Sequence, residues 1–261
     1  MKTITDHLGR TVTVPDTPKR IVSICPAITS TIFEFGAGDT LVGRTEYCIF
    51  PAHEVEKVPI VGGTKQVDFA RIRELNPDLI VAEKEENTKV IVQTLAKEFP
   101  VFVFEVQSIQ HNERFIRDVG KLVGKEQAAA DMLEKVKTSF ATFPKIEGAT
   151  AAYMIWQEPY MVVGHDTFIN AVLTSMGLVN PFIDKKSRYP IIQFDQIQAA
   201  NLDYLLLASE PFHFTNEHRE AFQKILPNTK VLNVDGEMFW YGSQSVPGFR
   251  YMPTIFKDKT I

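Results

Sequence analysis

Three glutamates, Glu83, Glu85 and Glu86, follow directly on the apolar run Leu79, Ile80, Val81, Ala82 in "LNPDLIVAEKEEN" (75–87). Grouped carboxylates can ligate a hard cation through oxygen, accept hydrogen bonds from a polar ligand, or stand as a solvated loop. Of the first two, polar contact from Glu85 and Glu86 to a bulky ligand ranks above direct ligation of a metal. His165 and His213 are candidate transition-metal ligands, yet the chain has no His-x-x-x-His or Cys-x-x-Cys spacing. Cys25 and Cys48 close two strand-like runs, and the sequence leaves a disulfide between them open. Signatures of catalysis are missing. "GAGDTLVG" (36–43) ends a helix where a dinucleotide fingerprint would begin one, "VGGTK" (61–65) lacks phosphate-loop spacing, and no Gly-x-Ser-x-Gly elbow occurs. A binding protein is expected rather than an enzyme, with no intrinsic cofactor and no resident metal.

These residues need elements to hold them, and the chain supplies two similar sets. "RIVSIC" (20–25) reads as a strand, "AITSTIFEFGAGD" (27–39) as a helix stopped at its glycines, and "TLVGRTEYC" (40–48) as a second strand. "DFARIRELNPDLIVA" (68–82) gives helix, Asn-Pro turn and strand, and "VFVFEV" (101–106) a fourth strand. The second half repeats this order. "TAAYMIW" (150–156) is a strand and "DTFINAVLTSMGLVN" (166–180) a helix. "FDQIQAANLDYLLLASEPF" (194–212) then echoes 69–87, and "KVLNVD" (230–235) echoes 101–106. Strands alternating with helices predict an α/β fold of two Rossmann-like lobes with parallel central sheets.

Between the halves, Ile116, Val119, Leu122 and Val123 share one helical stripe, as do Met132, Leu133, Val136 and Phe140 beyond Gly124. Lys125 to Phe143 contains no Gly or Pro, which allows a helix of about 27 Å. The expected division is an amino-terminal lobe over 1–110, a long rigid backbone helix over 111–144 and a carboxyl-terminal lobe over 145–261.

Ligands of open α/β sheets bind at the carboxyl ends of the strands. In the first lobe those ends carry Pro26, Ala27, Tyr47, Cys48 and the three glutamates. In the second they carry Trp156, Glu158 and Tyr160; Glu210, Phe212 and His213; and Glu237, Phe239, Trp240 and Tyr241. Both tryptophans of the chain, and Tyr47, Tyr160, Tyr189 and Tyr241 among its seven tyrosines, fall at exits or loops. That concentration suits a large, flat, partly apolar ligand, although aromatics also cover lobe edges.

The net charge of −4 and pI near 5.9 argue against nucleic acid as a partner. No run of about 18 apolar residues exists to span a membrane. The start, "MKTITDHLGRTVTVPDTPKR", lacks the apolar stretch of a secretory signal. That fits a cytoplasmic protein, or a mature chain whose signal or lipid anchor is not included.

Taken together, "GRTVTVPDTPKRIVSICPAITSTIFEFGAGDTLVGRTEYCIFP", "IRELNPDLIVA" and "RYPIIQFDQI" resemble the helical-backbone substrate-binding proteins of ABC importers for cobalamin, ferric siderophores and haem, with the vitamin B12-binding branch nearest. The resemblance covers roughly residues 10 to 255. It implies a periplasmic or otherwise extracytoplasmic monomer that holds cobalamin or an iron complex between two lobes and passes it to an ABC permease dimer. By resemblance, Pro26, Ala27 and Ile28 line the ligand, and Tyr47, Tyr189 and Trp240 take aromatic positions, with Asp235 or Glu237 beside Trp240. Asp195 matches the carboxylate that the second lobe offers to permease arginines. The equivalent place in the first lobe is Ala70, with Asp68 two positions earlier, and Ser30 stands where the family usually has Glu; both departures weigh on coupling to a permease. The expected ligand set is therefore Pro26, Ala27, Ile28, Tyr47, Cys48, Glu85, Trp156, Tyr160, Arg188, Tyr189, Glu237, Trp240 and Tyr241. Competing readings are a bare-cation receptor built on His165, His213 and the glutamates, and, ranked last, an enzyme acting on a tetrapyrrole or corrinoid.

Overall fold

Asp68, Thr88 and Thr167 each begin a helix by accepting a backbone N–H three residues on, and Asn76 ends one in the left-handed region. Such caps punctuate a chain whose central strands are short, apolar and buried, as Leu79–Glu83 and Tyr204–Ala208 are. The computed structural model of the protein describes residues 1–183 and 187–256 and divides into two units. One comprises Met1–Val106 with Gln110–Lys135; the other comprises Gln107–Ile109 with the chain from Val136 onward.

The first unit opens with a hairpin the sequence did not announce, β1 (Lys2–Thr5) and β2 (Thr11–Val14), paired antiparallel from Lys2↔Val14 to Thr5↔Thr11. There follow β3 (Ile21–Ser23), α1 (Pro26–Glu34), β4 (Leu41–Arg44), α2 (Ala52–Val55), α3 (Phe69–Leu75), β5 (Leu79–Glu83), α4 (Lys89–Leu95) and β6 (Val101–Phe104). The main sheet runs β4-β3-β5-β6, all parallel. Every residue of β5 and β6 is buried, as strands covered on both faces require. Because β4 lies on one side of β3 and β5 on the other, the strand order reverses there. A crevice at the carboxyl ends of β3 and β5 is the geometric result.

The expected spacer over 111–144 is two helices of 15 residues each, α5 (Ile109–Val123) and α6 (Glu126–Phe140). Gly124, at φ +66°, breaks them, and a β-carbon at Gly120 would lie 2.5 Å from that of Ala129. The two helices therefore press together through their smallest residues. The boundary between the units falls inside α6, at Lys135.

The second unit holds β7 (Ala151–Trp156), β8 (Met161–Val162), α7 (Phe168–Ser175), α8 (Phe194–Ala199), β9 (Tyr204–Ala208), α9 (Asn216–Ile225), β10 (Lys230–Val234) and α10 (Ser245–Ile255). Its sheet order is β10-β9-β7-β8, parallel except for the edge strand β8. The central strands are parallel as expected, and the antiparallel edge arises because the chain returns from Trp156 as a hairpin before entering α7.

The internal echo is visible in individual hydrogen bonds. Asn76 and Asn201 both adopt left-handed backbone, φ +44° and +46°, to turn from helix into strand. Two residues on, Asp78 accepts the N–H groups of Lys19 and Arg20 at 2.8 and 3.0 Å, while Asp203 accepts the Thr150 N–H at 2.8 Å. Each aspartate also donates its own N–H back, to Arg20 O at 2.9 Å and to Thr150 O at 3.1 Å. Ile72 and Ile197 fill matching core positions. The counterpart of β4 is a single parallel bridge, Thr150↔Val179.

Candidate ligand-binding site

In the first unit the exit residues do not all face outward. Tyr47 is 57% exposed, but Cys48 turns inward to 1%. Its Sγ lies 3.1 Å from Thr29 Oγ1 and 3.2 Å from Thr45 Oγ1, and burial raises its thiol pKa. Ala27 and Ile28 are buried as well, since the first turn of α1 packs down on the sheet, leaving Pro26 half-buried at the surface. The expectation that Ala27, Ile28 and Cys48 present side chains to a ligand is thus corrected: they are core. No disulfide joins Cys25 and Cys48.

Tyr47 is held by Arg44, a residue with no distinguishing signal in the sequence. The buried Arg44 guanidinium donates from Nε to Val55 O (2.8 Å) and Val58 O (3.2 Å), and from Nη1 to Thr45 O (3.1 Å) and Cys48 O (3.2 Å). It cross-ties both ends of the loop that carries Tyr47. Below the ring lies the turn at Gly62 and Gly63. Gly62 sits at φ +100°, and a β-carbon at Gly63 would come within 3.1 Å of Tyr47 Cε2 and of Glu46 Oε1. At Gly62 the left-handed backbone and the Gln66 carbonyl, 2.6 Å from a β-carbon there, require glycine. Glu46, Tyr47 and residues 62–68 line an open depression of about 700 Å³. The doubled glycine between buried Val61 and Val67 was the signal for this loop.

Glu83 is no ligand-facing carboxylate either. It is 3% exposed, and its Oε2 accepts the N–H groups of Glu85 (2.6 Å) and Glu86 (3.0 Å), folding the exit of β5 back on itself. Burial pushes its pKa up to about 7, against the pull of those two backbone donors. Burial also raises Glu86, opposed by Lys65 and the Thr64 hydroxyl. Asn87 ties the region together: Oδ1 accepts from Glu83 N at 2.8 Å, and Nδ2 donates to Ile24 O at 2.9 Å and Thr64 O at 3.0 Å. Three segments of the crevice, the exits of β3 and β5 and the 62–66 turn, thereby share one amide. Glu85 is half-buried beside it, and its carbonyl accepts from Lys65 Nζ.

In the second unit, Trp156 is 40% exposed and packs its edge on Phe212, ring centroids 5.7 Å apart. Trp240 is half-buried, and its Nε1 donates to Glu210 Oε1. Glu237 is partly exposed beside it, its pKa raised by burial and by the neighbouring Asp235 carboxylate. Tyr241 leans on Phe168 at 6.0 Å. Tyr160 turns instead to the core, edge-on to Phe222 at 5.7 Å, because its segment runs back along β7. Arg188 spends its Nη2 on Asp166 O and its carbonyl on Gly164 N, so it clasps two loops of its own lobe. Tyr189 is half-buried alongside. His165 Nδ1 pairs with Asp166 at 2.7 Å, and His213 Nδ1 lies 3.3 Å from Ser209 O. Among the described residues, no three His, Cys, Asp or Glu side chains converge as metal ligands.

The two acidic positions expected to dock a permease are both exposed. Asp195 lies in the first turn of α8, and Asp68 caps α3 by accepting from Arg71 N at 2.9 Å. The repeat sets Ala70 opposite Asp195 and Phe69 opposite Phe194.

A sequence model of the family described as periplasmic binding protein matches residues 21–231. The chain belongs to the periplasmic binding protein family. It is 28% identical over 195 residues to an uncharacterized ABC transporter substrate-binding lipoprotein, YvrC, of Bacillus subtilis, a match covering 70% of this chain and 62% of that one. It is 26% identical over 187 residues to a vitamin B12-binding protein of Vibrio parahaemolyticus, covering 69% and 66%. The chain thus spans just under two thirds of these relatives' length. Solved structures with the same fold include the catecholate-siderophore binding protein VctP of Vibrio cholerae (TM-score 0.79, 20% identity, 99% of both chains). Another is the vitamin B12 binding protein BtuF of Vibrio cholerae (TM-score 0.76, 21% identity, 94% and 98%).

Proposed function

We propose that this periplasmic binding protein captures a corrinoid such as cobalamin outside the cytoplasm, as a monomer, and delivers it to an ABC permease. The reading is carried by one observation: partly exposed aromatic rings, each buttressed from behind, stand at the carboxyl ends of both sheets. Tyr47 rests on the Gly62–Gly63 turn, Trp156 on Phe212, and Trp240 on the Glu210 carboxylate. Rings fixed in this way meet a large flat ligand at little entropic cost.

Charge narrows the choice among metal–organic ligands. The exits of the second sheet carry the four carboxylates of Glu158, Glu210, Asp235 and Glu237 against the Arg188 cation, whose Nη2 donates to Asp166 O. Glu46, Glu85 and Glu86 outnumber Lys65 at the first. Such rims repel anionic ferric catecholates and haem propionates, and tolerate a neutral corrinoid. The name borne by the Vibrio parahaemolyticus relative agrees with this choice. In the first unit Pro26, Tyr47 and Glu85, and in the second Trp156, Tyr189, Glu237, Trp240 and Tyr241, are the proposed contacts, each unit's set considered by itself, with Asp195 and Asp68 offered to permease arginines.

Isothermal titration with cyanocobalamin, haemin and a ferric catecholate tests the proposal. Cyanocobalamin is expected to bind at micromolar concentration or below and to bind tightest of the three. No binding of cyanocobalamin, or preference for the catecholate, would remove the corrinoid assignment.

A further inference from the structure

Both tryptophans of the chain are set by a single loop, residues 209–214 between β9 and α9. Phe212 presents its ring to Trp156 at an interplanar angle of 68° and donates its N–H to Ile155 O at 3.3 Å. Two residues earlier, the Glu210 carboxylate takes the Trp240 indole N–H. The loop is itself anchored. Phe212 packs on Phe214 at 4.7 Å and on His218 of α9 at 5.5 Å, and Phe214 is buried. Ser209 Oγ accepts the Gly236 N–H at 2.9 Å, which latches the exit of β9 to that of β10. The stem of Glu210 lies over Gly236 so closely that a β-carbon there would be 2.5 Å from Glu210 Cγ. Glu210 is therefore a carboxylate on a clamped platform, not a loose surface arm.

We infer that Glu210 is the positioning residue of the second lobe's aromatic wall, fixing the Trp240 indole in the pose that meets the ligand. The inference rests on the reading that Trp240 lines the ligand site. An indole without this acceptor rotates about two side-chain torsions, and a flat ligand must then freeze it on binding. A carboxylate acceptor holds it more firmly than a neutral group would. The same carboxylate makes the ring a better partner for a cationic or electron-poor face.

Replacing Trp156 by Phe leaves Trp240 as the sole indole, so its Nε1–H resonance can be followed directly in the unliganded protein. In that background Glu210→Ala is expected to shift the indole N–H resonance and to weaken cyanocobalamin binding about tenfold. Glu210→Gln keeps an acceptor and should restore affinity to within about threefold of the parent. Gly236→Ala displaces the carboxylate stem without altering Glu210, and should act in the direction of Glu210→Ala even if the latter folds poorly. An indole resonance and a cyanocobalamin affinity both unmoved by Glu210→Ala would overturn the inference, as would Gln performing no better than Ala. The two readings fail separately. Unchanged binding by Trp240→Ala, or none by the parent, discards the ligand site. The indole resonance still decides whether Glu210 sets the ring: an unmoved resonance alone then overturns that role.

Discussion

Replacing Glu83 by Gln should make the protein more stable at pH 8 and leave it nearly unchanged at pH 4.5. The carboxyl is 3% exposed, and burial raises its pKa from 4.5 to about 7, with the Glu85 and Glu86 carboxylates adding to the rise. Below pH 4.5 the group is protonated in both folded and unfolded chains and costs nothing. Between 4.5 and 7 the unfolded chain releases its proton while the folded chain keeps it, so stability falls as pH rises. Above about 7 the folded protein carries a buried anion, and the accumulated loss is about 3 kcal/mol. Gln is isosteric and its carbonyl can still accept the N–H groups of Glu85 and Glu86, so the variant recovers most of that loss at high pH. Urea melts followed by far-ultraviolet circular dichroism from pH 4.5 to 8.5, for parent and variant, give the difference directly. Glu237, whose pKa is also raised but which does not act on Glu83, bends both curves alike and cancels in the subtraction. A difference that stays flat across this range would refute the reasoning, and so would a variant less stable than the parent at pH 8.

Further outcomes follow from the same geometry. Asn87→Ala strands three buried backbone groups, Glu83 N, Ile24 O and Thr64 O, and should cost about 3 kcal/mol in urea melts. Asn76→Ala and Asn201→Ala each force an alanine into left-handed backbone; matched losses of about 1 kcal/mol are expected, and unequal losses would break the equivalence of the two turns. Tyr47→Ala should weaken cyanocobalamin binding about tenfold in calorimetry with little change in melting temperature, because the ring is more exposed than buried. Asp195→Ala should leave binding intact while reducing uptake in vesicles containing the cognate permease, a result that separates docking from capture.

The central strands of both lobes are legible because each is dominated by an apolar run bounded by turn residues, as in residues 79–82 and Tyr204–Ala208. The hairpin β1–β2 gives a weak signal, because its alternation spans four residues a side and half of those residues are threonine. Helices α4 and α9 start shortly after strand exits, where their caps Thr88 and Thr215 are indistinguishable in sequence from loop residues. For the site, exposure decided what spacing could not. Tyr47 and Cys48 are adjacent in sequence, yet one faces outward and the other is buried among hydroxyls. Arg188 and Arg44 show the same difficulty from the other side. The Arg188 guanidinium, among loop residues, looks like a ligand contact, yet its Nη2 donates to Asp166 O, and the Arg44 guanidinium is buried among carbonyls of its own fold. Which acceptors lie within reach is set by tertiary folding alone.

The paired aspartate clasps, Asp78 beneath one sheet and Asp203 beneath the other, sit at the opposite ends of the strands from the ligand loops. Foundations of the two halves are thereby decoupled from their rims. Rim side chains such as Tyr47, Glu85 and Trp156, exposed or half-buried, could be exchanged to admit another guest without reopening the sheets, so new specificity need not come at the expense of folding.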